Sequence, residues 1–221
     1  KWAQSTTEGR TQDRVRERVK AFAPSKIVFE ATPTHVESFI AGRYDESDRR
    51  TFHAPCPKCK HWQPLRFHVH EDGPYEGRGG VVGYRDEDGK LVSPDDALRY
   101  AHYLCEQGCR IDEAHRAGMI AQGRWVRHGQ WVNKRGQLKG KPTCSGRIAG
   151  YTCTSLLGPH ITFGKIAAEF IRSRNDDSKL QNFVNNWLGQ RWTGGQKKLK
   201  WRDVGVRLKG QLQLHSVIGE E

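Results

Sequence analysis

Two close pairs of cysteines constrain this chain more than any other feature. Cys56-Pro-Lys-Cys59 is a C-x2-C knuckle, and Cys105-Glu-Gln-Gly-Cys109 is a C-x3-C knuckle further along. Two such knuckles can offer four thiolates tetrahedrally to one zinc ion, which forces residues 56–59 and 105–109 together in the fold. Disulfides and unliganded thiols are the alternatives. The N-terminus lacks the apolar core of a secretory signal, which points to a reducing compartment and so to structural zinc. The second knuckle is one residue longer than usual. His53, His61 and His102 lie close enough in sequence to replace one thiolate, although each reads first as a surface histidine.

A chain of 221 residues with 7 Trp, 6 Tyr and 8 Phe can bury a core as one ordinary domain or two small ones, and is not a disordered tail. No apolar run approaches the roughly 18 residues of a membrane span, so a membrane partner is not expected. The first residue is Lys1 rather than Met, and the chain reads as a fragment of a longer protein.

Charge is distributed unevenly around a net of +12. Between Met119 and Gly150 lie Arg124, Arg127, Lys134, Arg135, Lys139, Lys141 and Arg147, and no acid. Lys197, Lys198, Lys200 and Arg202 add a second basic run, either a linker touching DNA or a tail. A polyanion is the natural partner of such clustering, double-stranded DNA above all, while a solubilising face is the plainer alternative. Trp125 and Trp131 are interleaved with the first cluster and read as core anchors rather than stacking platforms.

Periodicity places these features on elements. Thr11 can cap a helix with Val15, Val19 and Phe22 on one stripe, stopped by Pro24. Lys26–Glu30 reads as a buried strand ended by Pro33, with Thr32 and Thr34 on the loop at its C-terminal edge, where open α/β sheets bind ligands. Leu65 and Phe67 suggest a strand, as does His102-Tyr-Leu104. Glu71 to Lys90 reads as a mobile Gly-rich loop. Ser93-Pro94 reads as a helix start. A strand is expected over Arg147 to Ser155, with Cys153 as a small buried hydrophobe. Two amphipathic helices should follow, one capped by Thr162 and carrying Phe163, Ile166, Ala167, Phe170 and Ile171. The other opens at Asp176 or Asp177, carries Leu180, Phe183, Val184, Trp187 and Leu188, and stops at Gly189.

Catalytic constellations are missing. The nearest approach to a G-x4-G-K-[ST] phosphate loop is Gly136-Gln-Leu-Lys-Gly140-Lys141, one residue short and followed by Pro142 instead of a hydroxyl residue. No strand ends in paired acids. Asp45-Glu-Ser-Asp48 and Asp86-Glu-Asp88 read as solvated charges in polar loops.

The order of the motifs nevertheless resembles one family. Lys26-Ile-Val-Phe-Glu-Ala-Thr-Pro-Thr34, Tyr44-Asp-Glu-Ser-Asp-Arg-Arg50 and Pro55-Cys-Pro-Lys-Cys59 with Trp62-Gln63 are similar to the lambda-type large terminase subunit of tailed phages. So are Tyr103-Leu-Cys105, Cys109-Arg-Ile-Asp-Glu113, Gly123-Arg-Trp-Val126, Leu156-Leu-Gly-Pro159 and Phe183-Val-Asn-Asn-Trp-Leu-Gly189. The resemblance runs from about residue 15 to 192. Departures are Ala31 where serine is usual, Lys60 where glycine commonly follows the first knuckle, the longer second knuckle, and Gly158 where serine is common.

The resemblance implies a motor that packages viral DNA in the cytoplasm of the bacterial host, with an ATPase domain and a ribonuclease H-type nuclease domain. It implies ATP and Mg2+ as cofactors of the full-length parent, and a small terminase subunit and a portal as its partners. Thr32 then matches a loop that couples nucleotide state to DNA movement. The expected architecture is mixed α/β. The expected segments are the C-terminal part of an ATPase core with the end of a P-loop-type sheet (1–53), a zinc-ribbon insertion (54–118), a basic strand and helical connector (119–195), and a basic tail or linker (196–221). Lacking Walker A, Walker B and the nuclease carboxylates, the chain is not expected to hydrolyse ATP or cut DNA alone. The rival reading is a free-standing zinc-ribbon nucleic-acid-binding protein without enzymatic activity.

Overall fold

The computed structural model describes residues 11–22, 24–68, 79–144 and 147–193. The chain divides into two units, Lys1–Thr32 and Pro33–Glu221. In the first, α1 spans Thr11–Val19, with Asp13 in its first turn and Arg16 and Arg18 in its last, each sign matching the helix dipole. Phe22 lies beyond the helix end and is 69% exposed. The strand expected over 26–30 does not form. A buried strand depends on neighbouring strands to complete its ladder; residues 26–30 belong to none of the sheets of the described residues, and Val28 is exposed.

The second unit begins with α2 (Phe39–Asp45). β1 (Thr51–Pro55) then turns through the first knuckle into β2 (Trp62–Pro64). β3 (Gly80–Val82) and α3 (Pro94–Tyr100) precede β4 (His102–Leu104), which turns through the second knuckle into β5 (Arg110–Ile111). Next come α4 (Arg116–Gln122), β6 (Arg124–Val126), and the hairpin of β7 (Trp131–Val132) and β8 (Leu138–Lys139). α5 (Phe163–Ser173) and α6 (Asp177–Asn182) follow. The sheets of the described residues are small and antiparallel, in the orders β2-β1-β6, β3-β4-β5 and β7-β8.

Local chemistry explains the helix starts. The Ser93 side chain accepts the Asp96 N–H with Pro94 at the first helical position, the Thr162 side chain accepts the Lys165 N–H, and Asp176 accepts from Ser178 and Lys179. On α5, Phe163, Ile166, Ala167 and Phe170 are buried at helical spacing, and α5 packs on α3. Their rings meet residues contributed by the strand-rich part. Phe67 lies 5.2 Å from Phe170 and 5.4 Å from Phe183, and Tyr103 lies 5.7 Å from Phe163, centroid to centroid.

Several expectations are corrected. The second amphipathic helix does not continue as α: from Phe183 to Trp187 it is a π-helix, closed by the Leu188 N–H on the Phe183 carbonyl at 3.2 Å. The wider turn rotates Asn185 inward beside Phe183 and Val184. No strand forms over 147–155 beyond a single bridge from Tyr151 to Arg50. Instead the hydroxyls of Thr152 and Thr154 donate to the Gly189 and Trp187 carbonyls, and a 3-10 turn follows over Ser155–Leu157. Cys153 is exposed, not buried. Gly189 stands at φ +63°, and a Cβ there would meet the Cys153 carbonyl oxygen at 2.0 Å, so the chain reversal requires glycine. Leu65 and Phe67 are buried but follow β2 instead of forming a strand. Part of the expected loop, Gly80–Val82, is β3; residues 71–78 of that loop lie outside the described residues.

Candidate metal centre

Each knuckle occupies the turn of an antiparallel hairpin. Pro55 pairs with Trp62 at the base of the first and Leu104 with Arg110 at the base of the second. The first turn is closed by the Lys60 N–H on the Cys56 carbonyl (3.0 Å) and the Cys56 N–H on the His61 carbonyl (2.8 Å). Lys60 adopts φ +60°, the left-handed region, which is why glycine suits this position. The longer second knuckle is accommodated by Gly108 at φ +80°, with the Gly108 N–H on the Cys105 carbonyl (2.7 Å) and the Cys105 N–H on the Cys109 carbonyl (2.9 Å).

The two turns bring Cys56, Cys59, Cys105 and Cys109 together, with all four sulfurs within 4.8 Å of one another. Cys59 and Cys105 Sγ are 3.7 Å apart. A disulfide would need about 2.0 Å, whereas sulfurs at the corners of a tetrahedron with metal bonds of about 2.3 Å stand about 3.8 Å apart. The donor set therefore fits a thiophilic ion such as zinc. No histidine belongs to the group among the described residues. His61 instead hydrogen-bonds Glu106 at 2.8 Å, tying one knuckle to the other, and the Glu106 N–H reaches Gln63 Oε1 at 2.8 Å. The Gln107 N–H points at Cys105 Sγ at 3.4 Å.

The electrostatics of the thiols is that of a site needing a cation. Burial, together with the neighbouring thiols, pushes Cys105 up to about 12, and the hydrogen bond with Cys59 raises Cys109. At Cys59, burial is outweighed by the His61 backbone and the surrounding thiols, and its pKa is lowered. Ionising all four sulfurs at this spacing is unfavourable unless positive charge lies between them.

Within the same unit, Arg124, Arg127, Lys134, Arg135, Lys139, Lys141 and Arg147 are all exposed. The Arg124 guanidinium lies 5.2 Å from the centre of the Trp62 ring, and Arg127 reaches Asp48 at 3.3 Å. Lys197, Lys198, Lys200 and Arg202 lie outside the described residues. Trp125 is half-buried, edge-on to Phe52 and Tyr151, as an anchor should be. Trp131 is not an anchor: it is 56% exposed. Thr32 is an exposed residue at the end of the first unit.

Two buried charged positions near the site escape sequence reasoning. Asp48, expected as a solvated charge, has a fully buried carboxylate bound to Arg50 at 2.8 Å. Arg116 is buried, donating to the Leu156, Gly158 and Pro159 carbonyls at 3.0, 2.8 and 3.1 Å and pairing with Glu113 at 2.5 Å. Glu113 in turn accepts the Phe163 N–H at the start of α5. Neither has a periodic signal. Asp48 lies within the 44–50 motif and Glu113, the partner of Arg116, within 109–113, and that was the available clue.

Comparison with protein families places the chain among viral DNA-packaging proteins. Residues 1–125 match the ATPase domain of the phage terminase large subunit gpA, and residues 148–215 match the endonuclease domain of the same subunit. The chain belongs to the phage terminase large subunit gpA family. No curated protein and no solved structure matches it. No helix of the described residues is long and apolar enough to cross a membrane.

Proposed function

We propose that this chain is a DNA-contacting part of the terminase motor, in which Cys56, Cys59, Cys105 and Cys109 hold one zinc ion and residues 54–118 work as a zinc ribbon. The ion supplies a structural cross-link between the two knuckle hairpins. The cations Arg124, Arg127, Lys134, Arg135, Lys139, Lys141 and Arg147 then meet duplex phosphates, with Lys197, Lys198, Lys200 and Arg202 extending the same track. ATP-driven translocation and genome cutting belong to the terminase large subunit as a whole, with ATP and Mg2+ as its cofactors and the small terminase subunit and portal as partners. Thr32 couples nucleotide state to DNA movement within it.

One observation supports the DNA reading above the others: every cation of the acid-free stretch 119–150 is exposed on the unit that also carries the thiol cluster. Phosphate contacts of this kind are largely independent of sequence and weaken steeply with salt, each contributing about 0.9 to the log-log slope. Charge reversal at Lys134, Arg135 and Lys139 together should lower duplex affinity and reduce that slope by about 3. Unchanged affinity and slope would defeat the reading. For the metal, protein purified without chelator should carry one zinc per chain, and Cys105→Ser should lose it. Structural zinc contributes about 10–16 kcal/mol, as much as a whole domain's stability, so its removal should unfold the knuckle hairpins.

A further inference from the structure

We propose that the β7–β8 hairpin is a base-stacking site, with Trp131 as the platform for an unpaired base in a single-stranded or frayed stretch of DNA. The inference rests on the DNA-contact reading and adds the strand state that the surface prefers. An indole that is 56% exposed, on a hairpin whose own core residue Val132 is only 7% exposed, is held outward by the alternation of the strand. Its cross-strand partner is Lys139, on the same face of the hairpin. Lys134 and Arg135 occupy the turn of the same hairpin, and Leu138 is 44% exposed.

The platform is pre-organised. Asn133 Oδ1 accepts the N–H groups of Arg135 (3.0 Å) and Gln137 (2.9 Å), while its amide donates to Gln137 Oε1 at 3.0 Å. A Cβ on Gly140 would meet Trp131 Cδ1 at 3.4 Å, so one edge of the indole sits next to this side-chain-free position at the hairpin's base while the ring remains exposed. A ring exposed among cations, with no acid from 119 to 150, matches the two faces of a nucleotide strand: phosphate for the lysines and arginine, base for the indole. In an intact duplex the base faces are covered by their neighbours. The indole therefore discriminates in favour of unpaired bases.

The test uses the full 221-residue chain, zinc-loaded, and fluorescence anisotropy with a labelled oligonucleotide in single-stranded form, as a blunt duplex, and as a duplex with an unpaired overhang. Trp131→Ala should weaken binding of the single strand and the overhang by about 5- to 150-fold, the range for loss of one stacked base, and leave the blunt duplex within about twofold. Trp131→Phe should retain most of the affinity. Charge reversal at Lys134, Arg135 and Lys139 should weaken all three. Equal effects of Trp131→Ala on every probe, or none, would overturn the stacking site while leaving phosphate binding intact. Loss of chain self-association without any change on DNA would also overturn it. A wild-type chain that binds none of the probes in a salt-dependent way would instead remove the DNA-contact reading beneath it.

Discussion

The Asp48 carboxylate accepts the N–H of Gly150, 102 residues away in sequence, at 3.1 Å. The same carboxylate takes Arg50 at 2.8 Å and Arg127 at 3.3 Å, and the Asp48 N–H donates to the Ile148 carbonyl at 2.9 Å. Arg50 completes the joint by exchanging backbone hydrogen bonds with Gly150 and Thr152 and by donating to the Tyr151 hydroxyl at 2.8 Å. Burial alone would raise Asp48. The Arg50 hydrogen bond, the Gly150 N–H and the two guanidinium charges outweigh it and hold the carboxyl below its ordinary value.

Substituting this pair should loosen the joint. Asp48→Ala leaves two guanidinium groups and a backbone N–H without their acceptor and should cost about 3 kcal/mol. Gly150→Ala would place a Cβ 1.9 Å from Ser47 Oγ, an overpacking that should cost about 1–3 kcal/mol. Urea denaturation of the two variants checks both values. A loss under 0.5 kcal/mol for either is incompatible with the joint as described.

Lys60→Gly should stabilise the chain by about 1 kcal/mol, because φ +60° costs a side-chain-bearing residue what glycine does not pay. The midpoint of thermal unfolding, measured with the metal content held equal, should rise. Lys60→Ala, which keeps the strained backbone and its Cβ, should not raise it.

Burial, assisted by the charge of Arg66, lowers His53 to about 4. Above pH 6.5 both folded and unfolded chains hold His53 neutral, and the group contributes nothing to the pH dependence. Between pH 6.5 and 4 the unfolded chain takes up a proton that the folded one refuses. Stability then falls with acid by at most about 1.4 kcal/mol per pH unit from this group. His53→Gln should flatten that part of the stability–pH curve, read as the difference between variant and wild type so that proton release at the thiols cancels.

Arg116→Met should cost about 3 kcal/mol or more. It strips three inward carbonyls of their donor and leaves Glu113 without its cation at the entry to α5. Arg116→Lys should recover only part of the loss, since one ammonium cannot reproduce the planar fork. Chemical denaturation with hydrogen exchange of the α5 amides would show the effect concentrated at Phe163.

The local chemistry was legible in the residues. Ser93, Thr162 and Asp176 cap the expected helices, and the knuckles fall on hairpin turns that converge. What failed were the inferences requiring a partner. The segment 26–30 has the composition of a strand, yet pairing is a property of the neighbour. At 147–155 the alternation was real, but the threonines found carbonyls at 187–189 before the backbone found a ladder. Asp48 and Trp131 went astray for one reason: residue type states a preference for water, and three-dimensional context overrules it in both directions.

Phe67 and Tyr84 fall within the ATPase-domain match, and Phe170 and Phe183 within the endonuclease-domain match, yet their rings form one cluster with centroids 5.2 to 5.7 Å apart. The two halves therefore cannot be recombined freely. A crossover between relatives anywhere from 126 to 147 would join aromatic surfaces that were never fitted to each other, and descent should have kept these two stretches inherited as a block.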